Sequence, residues 1–179
     1  SGLHALSPRD GLPLGHHAWP EGINITSPIL IPPDKVFASA SYGKGAVLLK
    51  IDPGEQKIDV ETKWQSKVMN NHFNSSVLWD NHLYGFDNAV LKCITAETGT
   101  QKWIKRRLGK GSLIYADGQF IVLSERGKLL LIEANPERCV ETASFPVLKG
   151  RCWTSPTLAN GLLFLRNRKE LVCINLKQM

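Results

Sequence analysis

His72 sits in an amide-rich loop, Asn70-Asn71-His72-Phe73-Asn74, and of all residues its type and setting most invite chemistry. Near neutral pH an imidazole can act as a base or bind a metal. No second histidine or carboxylate stands in that loop, so a catalytic partner such as Asp87 or Glu125 has to be delivered by the fold. A ring nitrogen bonded to a loop carbonyl is the structural alternative. The His16-His17 pair offers too few ligands for a metal site and reads as surface. The four cysteines, Cys93, Cys139, Cys152 and Cys173, show no Cys-x-x-Cys spacing, which argues against a zinc ribbon or a thioredoxin-like site. Calcium lacks support as well, because no cluster of acidic residues accompanies a glycine turn.

The elements that must position these residues are short strands. From Phe73 to Trp103 three alternating runs are punctuated by Asp80-Asn81, Asp87-Asn88 and Glu97-Thr98-Gly99-Thr100, and a fourth begins at Gln101-Lys102-Trp103. That is one antiparallel meander with an apolar face on each side, which needs neighbours of its own kind. The neighbours recur along the chain. Strand-opening serines at 27, 76, 112 and 155 are 49, 36 and 43 residues apart, near the period of a four-stranded propeller blade. Ser7, Asp52, Thr95, Glu133 and Asn175 mark the ends of third strands, and Trp19, Trp64, Trp103 and Phe145 read as the aromatic that closes each blade. The alternative is a β-sandwich with evenly spaced strands.

The stretch Cys93-Ile94-Thr95-Ala96-Glu97-Thr98-Gly99-Thr100-Gln101-Lys102-Trp103 resembles the tryptophan-docking repeat of quinoprotein-type propellers, with Thr98, Gly99 and Trp103 in place. Ala5 and Gly11 keep part of an earlier copy, in which Gly15 stands where tryptophan is expected; Asp52-Pro53-Gly54 and Cys173-Ile174-Asn175 match in part. The chain therefore resembles the PQQ-like (pyrroloquinoline-quinone-type) β-propeller repeat family over nearly its whole length. The resemblance implies an all-β fold, a single propeller-repeat domain over residues 1–179 with about four blades of four antiparallel strands. Blade parts are expected at 3–19, 23–64, 73–103, 111–145 and 154–176. Two arrangements remain open: a small closed ring, and an arc of a larger propeller completed by a second copy or by further chain. Asp117-Gly118 and Asn160-Gly161 suit hairpin turns in either.

Blade geometry then gathers a candidate site. Loops entering first strands and loops joining second to third strands lie on one propeller face. They carry Asn24, Lys44, His72, Asn74, Lys110, Arg126, Arg151 and Trp153, cations and amides able to hold an anion near the axis. Turns are also polar simply because they are wet. The family includes quinoprotein dehydrogenases, so PQQ with calcium is implied as a cofactor; those enzymes carry two adjacent cysteines, and this chain has none. It also includes outer-membrane assembly lipoproteins, which implies a non-catalytic scaffold, a protein or peptide partner and a periplasmic location. The expectation favours the scaffold, with no cofactor, over the dehydrogenase. The formal net charge of +6 and the run Lys105-Arg106-Arg107 raise nucleic acid as a partner, but that run falls on an outermost strand, where Lys and Arg guard the edge. No run approaches the roughly 18 apolar residues needed to span a bilayer. The first residues lack the basic start and apolar core of a signal peptide.

Overall fold

The structure, a computed structural model, describes residues 2–54 and 57–177. The described residues contain strands and no helix, in five antiparallel sheets. The first sheet is the hairpin β1 (Gly2–Leu6) and β2 (Pro13–Ala18). Three four-stranded meanders follow: β3 (Ile29–Ile31), β4 (Lys35–Ala40), β5 (Gly45–Pro53) and β6 (Ile58–Ser66) form the first of them. The second comprises β7 (Val77–Trp79), β8 (His82–Asp87), β9 (Val90–Thr95) and β10 (Gln101–Lys105). The third comprises β11 (Ser112–Ala116), β12 (Gln119–Leu123), β13 (Lys128–Glu133) and β14 (Glu141–Pro146). The last sheet has three strands, β15 (Thr157–Ala159), β16 (Leu162–Arg166) and β17 (Leu171–Asn175). This is an all-β propeller fold. Among the described residues β1 pairs only with β2 and β17 only with β16, so strand pairing does not close the series into a ring.

Period-two alternation explains why the sheets stack. Phe37, Ala46 and Leu48 point to one side of the β3–β6 sheet and pack with Leu83 and Ile94 of the next. Their neighbours Ala38, Ala40, Val47 and Leu49 point the other way, onto Trp19 and Leu3 of the hairpin. Tyr84, Leu91 and Cys93 meet Phe120, Val122, Leu130 and Ile132 across the following interface, and Ile121, Leu123 and Leu129 meet Leu163 and Leu165 across the last. The three four-stranded sheets are thus buried on both faces only because each has a neighbour on either side. The last sheet lacks one, and Cys173 is exposed there while its repeat counterpart Cys93 is buried. The two occupy the same place in their repeats, and the missing neighbour separates them. Burial pushes the Cys93 thiol up to about 11, which leaves it inert as a nucleophile.

The repeat's turn chemistry is visible in the backbone. The hairpins joining first and second strands at Asp80-Asn81, Asp117-Gly118 and Asn160-Gly161 hold both central residues at positive φ, the type I′ turn that matches strand twist. Ser7–Gly11 and Thr95–Gly99 form the same closed turn, with the glycine N–H donating to the carbonyl four residues back. Every pairing of a third with a fourth strand carries a bulge, and in two of them the skipped residue, Lys63 or Lys102, directly precedes a tryptophan. The bulge re-aims that ring onto the next blade: Trp64 Nε1 donates to Ala96 O at 3.0 Å, and Trp103 Nε1 to Asn135 O at 2.9 Å. The same position after the bulge holds Gly15 in the hairpin and Ala143 in β14. Trp19 and Phe145 are therefore not equivalents of Trp64 and Trp103, as their spacing had suggested. Trp19 Nε1 bonds Asn24 Oδ1, and Phe145 is 43% exposed.

Candidate functional site

Loop contacts fix which turns share a face. Tyr42, from the turn joining β4 to β5, reaches His72 in the loop entering β7. Glu125, from the turn joining β12 to β13, reaches Lys110 before β11 and Trp153 before β15. Loops from successive blades therefore meet at the axis, with buried polar side chains beneath them. Ser39 Oγ donates to Met69 O and accepts Asn71 N–H, and Ser76 Oγ donates to Asn71 Oδ1. Gly85 belongs to this support, since a Cβ there would collide with Ser76 Oγ.

Above this floor stands an aromatic and cationic cluster. Phe73 stacks on Trp153 with centroids 5.0 Å apart and planes at 25°, and His72 meets both rings edge-on. The Arg151 guanidinium lies over the Trp153 ring at 4.7 Å and Lys110 Nζ at 5.7 Å, both within cation–π range. Glu125 pins the arrangement: Oε1 accepts Trp153 Nε1–H at 3.0 Å, and Oε2 accepts the Lys110 amide at 3.1 Å. Trp153 remains 39% exposed, a large ring presented to solvent at the mouth of the axis.

His72 is held rather than poised. Its Nε2 pairs with Tyr42 Oη at 3.0 Å, and its Nδ1 is buried without a hydrogen-bond partner. Desolvation, reinforced by the Lys110 charge and opposed by Glu125, lowers its pKa below the ordinary histidine value. A pKa below the ordinary value favours the neutral ring, and the hydroxyl hydrogen-bonded to it is the Tyr42 phenol.

The structure divides the eight residues expected to form an axial site. His72, Lys110, Arg151 and Trp153 come together. Asn24 and Lys44 are tied to each other, Lys44 Nζ donating to Asn24 Oδ1 at 2.9 Å and to Ile23 O at 3.0 Å. Asn74 bridges blades, its Nδ2 donating to Ser155 Oγ at 2.6 Å and its Oδ1 accepting Leu113 N–H at 3.4 Å. Arg126 is exposed on the turn beside Glu125. Tyr42, Phe73 and Glu125 complete the cluster; Tyr42 and Glu125 stood in loops assigned to this face, but their contacts cross 30 and 28 residues of sequence.

A quinone with its calcium does not fit this cluster. Calcium takes six to eight oxygen ligands with several carboxylates among them, whereas Glu125 is the cluster's one carboxylate and both its oxygens are engaged. Among the described residues no group of three or more histidine, cysteine or acidic side chains is arranged to hold a metal, and all four cysteines are free. No helix of the described residues is long and apolar enough to cross a membrane.

No protein-family profile matches the sequence, and no curated protein matches it. Solved structures do. BamB from Moraxella catarrhalis superposes with a TM-score of 0.68 at 15% identity, covering 95% of this chain and 50% of that one. A europium-containing methanol dehydrogenase superposes with a TM-score of 0.51 at 10% identity, covering 71% of this chain and 26% of that one. The chain spans about half the length of BamB. At these identities the likeness is one of fold: this chain has the β-propeller fold of these structures.

Proposed function

We propose that this chain is a non-catalytic propeller scaffold that docks a protein or peptide on its axial loop face. The observation that carries the reading is the cluster of Tyr42, His72, Phe73 and Trp153 flanked by Arg151 and Lys110, assembled by loops of successive blades. Trp, Tyr and Arg are the side chains in which binding energy concentrates at protein interfaces. The cluster supplies contact area and charge. It supplies no nucleophile, because the nearest imidazole is bonded to Tyr42 and the nearest carboxylate is bonded on both oxygens. The repeat's resemblance to outer-membrane assembly propellers extends the proposal to a periplasmic setting, with exposed blade edges as a secondary contact surface.

Selection of random displayed peptides on the immobilised chain tests this. Recovered peptides should lose about tenfold or more in affinity for Trp153→Ala and for Arg151→Ala, both exposed positions whose substitution leaves the core intact. Peptides that bind these variants as tightly as the parent chain would contradict the proposal.

A further inference from the structure

The charges of this molecule are sorted by face. Turns on the axial side of the last two sheets carry Lys110, Arg126, Lys149, Arg151, Arg168 and Lys169 against two carboxylates, Glu125 and Glu170. On the opposite face of the same two sheets Asp117 and Glu137 are balanced by Arg138 and Lys177, so the excess of cations lies on the axial side. The ion pairs follow another pattern. Lysines of the strands, such as Lys35, Lys92, Lys102 and Lys105, are paired with carboxylates, mostly on neighbouring strands and blades. None of the six axial cations has a carboxylate of the described residues within 4.0 Å of its charged nitrogens. Their field is uncompensated and adds up at one side of the axis.

Four of them line a cleft of about 600 Å³ between the loop before β15 and the turn joining β16 to β17, namely Lys149, Arg151, Arg168 and Lys169. Its shape is fixed from below. Asn167 is buried, donates Nδ2 to Lys149 O at 2.7 Å and to Glu170 Oε1 at 3.2 Å, and accepts the Lys169 and Glu170 amides on Oδ1 at 2.7 and 2.9 Å. One side chain thus clamps both walls and engages the lone carboxylate, leaving the cations to a ligand. Arg151 joins this cleft to the aromatic cluster, because its guanidinium lies over Trp153.

We propose that the partner of the axial face is an acidic polypeptide segment whose carboxylates enter the Lys149–Arg168 cleft while its neighbouring residues lie along Trp153. This rests on the docking reading above and adds the partner's chemistry. A concave cleft admits side-chain carboxylates on an extended chain, which a bilayer surface cannot insert. Phe73, Arg151 and Lys110 already lie against the Trp153 ring, which leaves less of it for a nucleic-acid base to stack on.

The test is fluorescence anisotropy with a labelled glutamate-rich peptide, its glutamine analogue and a labelled oligothymidylate, at low and physiological salt. The glutamate peptide should bind, weaken as salt rises, and lose about tenfold or more on Lys149→Glu with Arg168→Glu. Arg138→Glu with Lys177→Glu, on the opposite face, should leave binding unchanged. Oligothymidylate bound more tightly than the peptide, with the same dependence on Lys149 and Arg168, would overturn the proposal in favour of nucleic acid. Equal affinity for the glutamate and glutamine peptides, lost in Trp153→Ala, would overturn the acidic partner while the docking face stands. Binding indifferent to both the cleft and Trp153 would remove the docking face as well.

Discussion

Glu125, which the sequence offered only as a partner for His72, shows how much of the site is decided by single side chains. Its carboxylate orients Trp153 and tethers the Lys110 amide, so a loop that reads as basic is organised around an acid. His72 was the natural suspect from its setting, yet the fold half-buries its ring, leaves Nδ1 without a partner and lowers its pKa. Its lowered pKa means the folded chain resists a proton that the unfolded chain accepts. Stability should therefore fall as pH drops from the ordinary histidine value near 6.5 toward the lower folded value. An NMR titration of the imidazole should give a midpoint below that ordinary value. Lys110→Met should raise it and Glu125→Gln should lower it further, because the two charges act in opposite directions. A midpoint that neither substitution moves would show that desolvation alone sets it.

At the scale of the blade, most of the fold was legible. Turn pairs such as Asp117-Gly118 and Asn160-Gly161, period-two alternation and the Thr-Gly-x-x-x-Trp spacing are local features, and each appears as expected. What failed was the assignment of blade-closing aromatics. The repeat motif puts Gly15 in the tryptophan place while the looser blade period puts Trp19 there, four residues on; the strand register agrees with the motif, and gives Ala143 rather than Phe145 the same place. Gly15 fits its place for a reason that spacing cannot show: a Cβ would stand 2.9 Å from Ile58 O, where β6 approaches β2. The docking of tryptophan on the next blade's turn is testable. Gly99 has φ +69° and its missing Cβ would lie 3.4 Å from the Trp64 ring, whereas Gly43 has φ +77° and nothing within 4 Å. Urea denaturation should show that Gly43→Ala costs about 1–2 kcal/mol from backbone strain alone. Gly99→Ala should cost more, and the excess should shrink in a Trp64→Ala background. Equal costs at both glycines would mean that the ring does not bear on the turn.

For the whole molecule, the charge balance of the sequence concealed a polarity. A net +6 and the densest basic run suggested a patch at Lys105-Arg106-Arg107. In the fold Lys105 and Lys102 are clipped to Glu141 and Glu137 of the next blade, and the Lys105 contact holds the Glu141 carboxyl down at about 2. Six cations without a carboxylate of the described residues in reach lie on the axial face of the last two sheets, in turns dispersed between residues 110 and 169. That dispersion is why a run-based reading missed the cleft: only the meander's alternation of up and down strands places those turns together. Asn24 and Lys44, expected on that face by the same alternation, are tied to each other by a hydrogen bond.

Amide chemical-shift mapping of the isotopically labelled chain with a selected peptide addresses the docking face most directly. The largest changes should fall at residues 42–44, 72–74, 125–127, 149–153 and 167–169, the turns that converge on Trp153 and its neighbouring cleft. Changes confined to the opposite turns, at 80–81, 97–99 and 117–118, or to the outer strands β6, β10 and β14, would contradict the account.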